Sequence, residues 1–598
     1  MITRWGRSLD PEAPLPEHPR PQRERVTWRS LNGVWEHAFT DGPTEPTTYD
    51  GPVVVPFSPE APLSGVGRQL QPHEWLWYRR SVTTPPVEPG GRVLLHLGAV
   101  DQHARVLLDG VEVGRHTGGY LPFSLDVTAA LAEPGSEHVL VVEVRDATET
   151  APHARGKQRL DRGEIWYTAQ SGIWQTVWLE WLPAAHVADL RLTPVLATDL
   201  ATAALEVRLD LVGPGSATVV VSTAEDGEVA RAEVGSGAAV RLPLPVVRPW
   251  SPEHPHLYDV TVTHGHDRLT SWTALRTLGT GRDAQGRRRL LLNGRPYPHV
   301  GVLDQGYWPD GLLTAPSDAA MVHDITTMKE LGFTVLRKHA KIEPLRWYAH
   351  CDRLGMLVWQ DVVNGGGRYR ALTTTRPARH PVPLPDRLHG LFGRADAAGR
   401  TELTRELHET VELLGASPSV VAWTLFNEGW GQFDANAHAR AVRRQDPTRP
   451  VNHVSGWVDQ GGGDVRSFHA YLAPFTMPRL HRGRRRRVVA LTEYGGHSLR
   501  VAGHDWSDRE FGYRHHDDAA GLTAAFEELH DGLVRAAHDG LAATVYTQLS
   551  DVEDELNGLL TYDREVLKPD ADVVRAVTAR LRAAMRGEPG PRSGRTSG

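Results

Sequence analysis

The sequence predicts a multidomain β plus α/β protein: a jelly-roll-like N-terminal β-sandwich, an immunoglobulin-like β-sandwich, and a C-terminal (β/α)8 TIM barrel. Three observations carry this reading. The chain has 598 residues, too many for one core, and should divide into roughly three or four domains. Short alternating apolar runs separated by turn residues fill its first half, and helical spacing replaces them beyond Leu290. Near the C-terminal end, Trp423-Thr424-Leu425-Phe426-Asn427-Glu428 and Ala490-Leu491-Thr492-Glu493-Tyr494-Gly495-Gly496 each run an apolar segment into a glutamate.

Residues 1–183 form the first unit. Val93-Leu94-Leu95-His96-Leu97, Ala104-Arg105-Val106-Leu107-Leu108 before Asp109-Gly110, and Val139-Leu140-Val141-Val142-Glu143-Val144 read as strands of an antiparallel sandwich. Residues 184–279 repeat the texture over about one immunoglobulin-like length, with Ala204-Leu205-Glu206-Val207-Arg208-Leu209 and Tyr258-Asp259-Val260-Thr261-Val262. The third unit, residues 280–585, opens its helical pattern with Met321, Ile325, Met328 and Leu331. Gly332 closes that helix before the buried strand Phe333-Thr334-Val335-Leu336. A helix from Glu343 to Leu354, stopped by Gly355, feeds Met356-Leu357-Val358-Trp359. Strand, helix and strand with short links demand a parallel sheet.

The series continues with a helix ending near Leu414, the run to Glu428, a helix after Asp434, and strands near Val451 and Phe468. The run to Glu493, a helix around Phe526 and the strand Ala542 to Gln548 complete it. About eight strands in roughly 300 residues close most economically as a barrel. The tail, 586–598, is rich in glycine, proline, serine and arginine and is expected to be disordered.

Composition narrows the function. The hydrophobic fraction of 40% and charged fraction of 23% are those of a globular protein, and the net charge of -7 gives no reason to expect nucleic acid or an anionic membrane as partner. The single cysteine, Cys351, excludes an intrachain disulfide framework and thiolate metal clusters. Asp10, Glu12 and several prolines follow the N-terminus where a signal peptide would be apolar, and no run is long enough to span a bilayer; a cytoplasmic location is the expectation. Arg482 and Arg484-Arg485-Arg486-Arg487 look like a basic patch, but in a net acidic chain, just before a strand, they read as a solvated loop.

A carboxylate at the tip of a parallel strand is buried on both faces, so it must be hydrogen-bonded or functional. Two such tips at one end of a barrel point to acid/base or nucleophilic chemistry, with glycoside hydrolysis the leading candidate. Taken singly, each glutamate could be a capping acid at a helix N-terminus.

Several segments carry a resemblance. These are Leu31-Asn32-Gly33-Val34-Trp35, Arg105 to Gly110 with Gly118-Gly119-Tyr120-Leu121-Pro122-Phe123, Gln170-Ser171-Gly172-Ile173-Trp174-Gln175, and Trp250-Ser251-Pro252-Glu253 with Pro255, Leu257 and Tyr258. In the third unit they are Arg337-Lys338-His339, Cys351-Asp352-Arg353-Leu354-Gly355, Val358-Trp359-Gln360-Asp361, Asn427-Glu428 and Thr492-Glu493-Tyr494-Gly495. In this order they resemble glycoside hydrolase family 2 over nearly the whole chain. The resemblance implies that Glu428 is the general acid/base and Glu493 the nucleophile of a retaining mechanism, which needs carboxyl groups about 5 to 5.5 Å apart. It also implies that Asn427 holds the sugar 2-hydroxyl and that Arg337 and Tyr471 donate to the nucleophile. His339, Asp361 and His469 join the sugar site, Asp361 either as a hydroxyl ligand or as the partner of Arg337. Trp430 and Trp457 are stacking candidates that could equally be core, and Tyr546 is the preferred platform.

Departures from family patterns bear on the substrate. The Asn-x-Lys pair with which the family's glucuronidases meet a carboxylate is replaced by Glu555-Leu556-Asn557, which disfavours a uronic acid. The magnesium-binding Glu-x-His pair of the large β-galactosidases is absent from Val362-Val363-Asn364-Gly365-Gly366-Gly367, so no metal or other cofactor is expected. Arg337-Lys338-His339 departs from the mannosidase pattern. What remains is an exo-β-glycosidase for a neutral sugar, leaning to a galactoside with pyranose or furanose ring; an arabinosidase or β-mannosidase of the same family is the alternative. A carbohydrate-binding protein with a dead barrel would lack a carboxylate, and neither is missing. A metalloenzyme would need ligand-spaced histidines, a test that His515-His516 does not meet. Association into a homo-oligomer is left open.

Overall fold

The computed structural model describes residues 1–131, 133–374, 384–478 and 487–588. Its N-terminal part is a β-sandwich. A six-stranded antiparallel sheet, in the order Gly51–Val55, Gly33–Thr40, Trp75–Thr83, Glu137–Arg145, His103–Leu108, Val111–Thr117, faces a four-stranded sheet of Trp28–Ser30, Val177–Leu182, Arg92–Leu97 and Phe123–Asp126. The alternating positions of the strands supply the core, where Trp35, Val106, Leu140, Val142 and Leu179 lie buried. The second sandwich packs a three-stranded sheet (His186–Leu196, Ala203–Val212, Ala239–Leu244) on a four-stranded one (Gly227–Gly235, Ser216–Thr223, Tyr258–His264, Asp267–Thr273) around Leu205, Val219 and Val260.

The third part is the eight-stranded parallel barrel expected from the alternation. In chain order its strands are β1 (His299–Asp304), β2 (Val335–Lys338), β3 (Leu357–Asp361), β4 (Val420–Thr424), β5 (Val451–Asn452), β6 (Val465–Ala470), β7 (Val488–Gly495) and β8 (Leu541–Thr547). Ladder hydrogen bonds run unbroken from β5 back through β4, β3, β2 and β1 to β8, β7 and β6. The β5–β6 seam is closed by Asp464: its backbone N–H donates to Val451 O at 2.8 Å, its carboxylate accepts from Val451 N at 2.9 Å, and its carbonyl accepts from Val488 N. Strands buried on both faces read as near-continuous apolar runs, as β4 and β7 do.

Among the described residues six helices clothe the strands: Asp318–Glu330, Leu345–Leu354, Ala397–Leu414, Ala435–Gln445, Ala519–His538 and Ala571–Arg586. Among the described residues none of these helices follows β5 or β6. The second helix begins two residues later than expected because Pro344 occupies its N-cap, and Gly355 ends it with φ 72°, a left-handed turn that only glycine adopts without strain. A small antiparallel sheet, Leu278–Arg282, Arg288–Leu292 and Arg295–Pro296, packs Leu290 and Leu278 against Val335, Trp359, Ala422 and Ala490 at the N-terminal end of the barrel. That end is therefore a core, and the opposite end is free for chemistry.

Cys351 is a buried free thiol. No helix of the described residues is long and apolar enough to cross a membrane. Arg482 and Arg484 to Arg486 lie outside the described residues, whereas Arg487 is paired with Asp459 at 2.6 Å rather than solvated. Of the expected disordered tail, Arg586 ends the last helix, and residues 589–598 lie outside the described residues.

Candidate active site

Glu428 and Glu493 meet at the C-terminal end of the barrel, but they arrive differently. Glu493 lies within β7, two residues before its end. Glu428 lies four residues beyond β4, because that strand stops at Thr424 and the chain crosses to the loop after β5. There Leu425 N donates to Asn452 O, Ser455 N to Phe426 O, and Glu428 N to Ser455 O at 3.0 Å. This stitching holds Glu428 at φ 49°, a left-handed conformation costing a non-glycine residue on the order of 1–3 kcal/mol. Such strain persists where neighbouring structure over-determines it, commonly at sites of function.

Arg337, fully buried on β2, organises the floor. Its Nε and Nη2 grip Asp361 on β3 at 3.1 and 2.9 Å, Nη2 also donates to Asn427 Oδ1 at 2.9 Å, and Nη1 donates to Glu493 Oε1 at 2.9 Å and to Thr492 O at 3.0 Å. All five guanidinium donors are thereby used, a fit that lysine could not reproduce. His339 Nδ1 lies 2.7 Å from the second oxygen of Asp361. Asp361 is thus the partner of Arg337 and His339, one of the two roles expected of it. Asn427 keeps its Nδ2 without a protein partner.

The two glutamates sit in opposite electrostatic settings. Burial would raise the Glu493 carboxyl, but the charges of His469 and Arg337 and the Tyr471 hydroxyl, 2.6 Å from Oε2, hold it below the ordinary range. Burial raises Glu428, the charge of Glu493 adds to the rise, and the bond to His469 opposes it. One acidic group is pushed toward the neutral form while its neighbour stays ionised, the division that acid/base pairs require. One oxygen of each carboxylate and a ring nitrogen of His469 lie within 4.8 Å of one another. His469 Nδ1 and Glu428 Oε1 are 2.6 Å apart, a direct hydrogen bond that leaves no room for an ion between them.

The aromatic candidates separate. Tyr471 bonds Glu493 and Thr547 Oγ1 and stacks on Tyr513 at a centroid distance of 4.0 Å. Trp457 lies edge-on to His469 at 5.5 Å, its indole N–H unpartnered. Trp430 is only 3% exposed, because Trp166 and Tyr369 pack against it at 5.2 and 6.4 Å; it backs an aromatic wall rather than presenting an open face. Tyr546 corrects the expectation of a sugar platform. Strand alternation turns its ring to the outside of the barrel, against Phe526 and His530 of the helix Ala519–His538, while the next residue, Thr547, faces the site.

Several site residues escaped sequence reasoning. A loop of the N-terminal sandwich reaches over the barrel mouth: Gly156 N donates to Asn364 O, Tyr167 OH bonds Glu555, and Lys157 Nζ lies 3.8 Å from Glu555 Oε2. Trp166 comes from the same loop. Tyr513, from the loop after β7, has its hydroxyl raised by burial and by the charges of Glu428, Glu555 and Glu493. Lys157 and Tyr513 carry no local motif, and only their place in the fold marks them.

The comparisons agree with this architecture. Three family models match in order: "Glycosyl hydrolase 2 galactose-binding domain-like" over 67–176, "Glycosyl hydrolases family 2" over 185–273 and "Glycosyl hydrolases family 2, TIM barrel domain" over 290–476. A β-galactosidase of Enterobacter cloacae is 26% identical over 509 residues, covering 78% of this chain and 46% of the relative. The β-glucuronidase of Canis lupus familiaris is 25% identical over 502 residues, covering 73% and 69%. The chain spans about half the length of the curated β-galactosidases from E. cloacae that it matches. Among solved structures, a β-glucuronidase of an uncultured Clostridium superposes with a TM-score of 0.74 at 18% identity, covering 94% of this chain and 98% of that one. A β-galacturonidase of Eisenbergiella tayi, bound to galacturonate, gives 0.68 at 18% identity, covering 95% and 99%. With all three models matched in sequence order on the domains described above, the chain belongs to glycosyl hydrolase family 2.

Proposed function

We propose that this protein is a retaining exo-β-glycosidase that removes a terminal neutral sugar, with Glu493 as nucleophile and Glu428 as acid/base. The observation that carries the reading is the close, oppositely poised carboxylate pair, with oxygens within 4.8 Å. Retaining enzymes hold their carboxyl groups about 5 to 5.5 Å apart, whereas inverting ones need about 6.5 to 9.5 Å to admit a water. In the first half-reaction Glu493 attacks the anomeric carbon while Glu428 protonates the departing oxygen; in the second, Glu428 takes a proton from the water that releases the sugar. The unpartnered Asn427 Nδ2 is a suitable donor for the sugar 2-hydroxyl, where hydrogen bonds strengthen in the transition state.

The lean to a neutral sugar rests on Glu555. Its carboxylate charge reaches Tyr513 together with those of the two catalytic candidates, and it would repel a substrate carboxylate while accepting from hydroxyls. A β-galactoside, as pyranose or furanose, is the reading preferred here; two of the named relatives are β-galactosidases. One observation favours a uronic acid instead: Lys157 brings a cation to the same place, although Glu555 engages it at 3.8 Å. A panel of p-nitrophenyl β-galactopyranoside, β-galactofuranoside, α-L-arabinofuranoside, β-mannoside and β-glucuronide decides. Turnover of the glucuronide alone would sink the neutral-sugar reading, and turnover of none would sink the glycosidase reading.

A further inference from the structure

A one-way chain of hydrogen bonds runs behind the site. Thr492 Oγ1 lies 3.3 Å from Phe468 O, Ser455 Oγ 2.9 Å from Thr492 Oγ1, His469 Nε2 2.8 Å from Ser455 Oγ, and His469 Nδ1 2.6 Å from Glu428 Oε1. A carbonyl oxygen only accepts, so the Thr492 hydroxyl hydrogen is committed to Phe468. The Thr492 oxygen then accepts from Ser455, which spends the one hydrogen of that hydroxyl. Ser455 can offer His469 only a lone pair, so Nε2 must carry a hydrogen. A neutral imidazole with its hydrogen on Nε2 presents a bare lone pair at Nδ1. A carboxylate lone pair 2.6 Å away would repel it, so one proton must occupy the contact between Nδ1 and Glu428 Oε1.

We propose that the hydroxyls of Ser455 and Thr492, neither of which is hydrogen-bonded to a carboxylate, hold a hydrogen on Nε2 of His469 and thereby keep a further proton in the contact between Nδ1 and Glu428 Oε1, on the ring or on the carboxyl, for delivery to the glycosidic oxygen. Ser455 and Thr492 are positioning residues, acting through His469. The inference rests on the acid/base role proposed for Glu428 and explains how that acid stays loaded beside a cationic arginine network. In the first half-reaction the proton of this contact passes through Glu428 to the glycosidic oxygen as the bond from that oxygen to the anomeric carbon breaks. The carboxylate left facing the Nδ1 lone pair is made more basic, and it recovers a proton from the attacking water, so the cycle consumes none. The groups facing the pair are Glu493 with Arg337 behind it, Tyr471, Tyr513, and Lys157 from the sandwich loop. Burial and Glu493 raise Glu428, and the bond to His469 and, after it, Lys157 oppose them.

Two variants test this. Ser455→Ala removes the acceptor for Nε2–H. Thr492→Val leaves His469 untouched but frees the Ser455 hydrogen to turn toward Nε2. Both should favour the Nδ1–H tautomer, which stabilises an ionised Glu428. In both, the alkaline limb of kcat/KM should move down by about one pH unit or more. Glycosides with poor leaving groups should slow by about tenfold or more, while 2,4-dinitrophenyl glycosides, which need little acid assistance, hold within about threefold. Ser455→Thr, which keeps the hydroxyl, should behave as wild type. An unmoved limb, or equal slowing of both substrate types, would overturn the proposal. A readout independent of turnover separates it from the glycosidase reading: in 15N-histidine spectra, with His469→Gln used for assignment, wild-type Nε2 should be protonated and the pattern reversed in Ser455→Ala. A neutral His469 with its proton on Nδ1 in the wild type would refute the inference even in an active enzyme.

Discussion

Glu493 and Glu428 are the same residue, 5% and 7% exposed, at the same end of one barrel, yet their surroundings drive them apart. Glu493 stands inside a strand and accepts from a saturated arginine and a tyrosine. Glu428 stands on a strained loop residue with one ring nitrogen beside it. Burial alone raises any carboxyl, so what separates the two is the number and charge of their donors. Glu406, at the contact of the sandwich with the barrel, is a third case: it is buried, its Oε1 has no partner, and burial pushes it up to about 8. Three buried glutamates thus span the range from firmly ionised to neutral.

The contrast can be broken at its strongest point first. Glu493→Gln removes the oxygen proposed to attack, and turnover of whichever glycoside the wild type cleaves should fall on the order of 10⁴-fold or more. Full retained rate would show the nucleophile assignment to be wrong. Glu428→Gln should cost about 10² to 10⁴-fold on poor leaving groups, much less on dinitrophenyl glycosides, and azide should restore turnover of the latter by attacking the glycosyl-enzyme in place of water, a step that needs no general base. Tyr471→Phe removes a bond to a charged group worth about 1.5 to 3 kcal/mol, so a loss of about 10 to 100-fold is expected. The sign of its pH effect follows from Glu493, whose depressed pKa means that activity is lost as pH falls through it. Losing a donor raises that pKa, so the acidic limb should move to higher pH; a shift downward would contradict the arrangement.

Glu406→Gln should give the smallest effect, on stability alone. A carboxyl raised on folding binds more protons in the native state between its unfolded value and about 8, so its contribution to stability is full below that window and lost as pH rises through it. The variant should match wild type near pH 4.5 and exceed it at pH 8 by on the order of 1 to 3 kcal/mol. Thermal melts at the two pH values read this directly. Equal melts at both would place Glu406 in contact with water.

How much of this was legible in the sequence depended on the range of the interaction. The Asn427-Glu428 and Thr492-Glu493 runs announced themselves because a strand period and a terminal acid are local features. Arg337, Asp361 and His339 stood in short segments at strand tips, although which of them touches Glu493 required the barrel to close. Tyr546 was misread because one residue along a strand exchanges the inside of the barrel for the outside, and aromatic character does not say which side it takes. Lys157 and Trp166 were invisible because they sit in the first sandwich, hundreds of residues from Glu555 and Trp430, which they approach.

By itself, then, the sequence determined the domain order, the strand and helix alternation, the pair of glutamates and the family, since periodicity, terminal residues and short motifs are properties of neighbouring positions. Tertiary structure alone decided which glutamate is held ionised, which tyrosine faces the site, and that Ser455 and Thr492 stand behind His469. Proton affinity depends on burial and on charges and hydrogen bonds a few ångströms away in space, and those distances exist only once the barrel has closed.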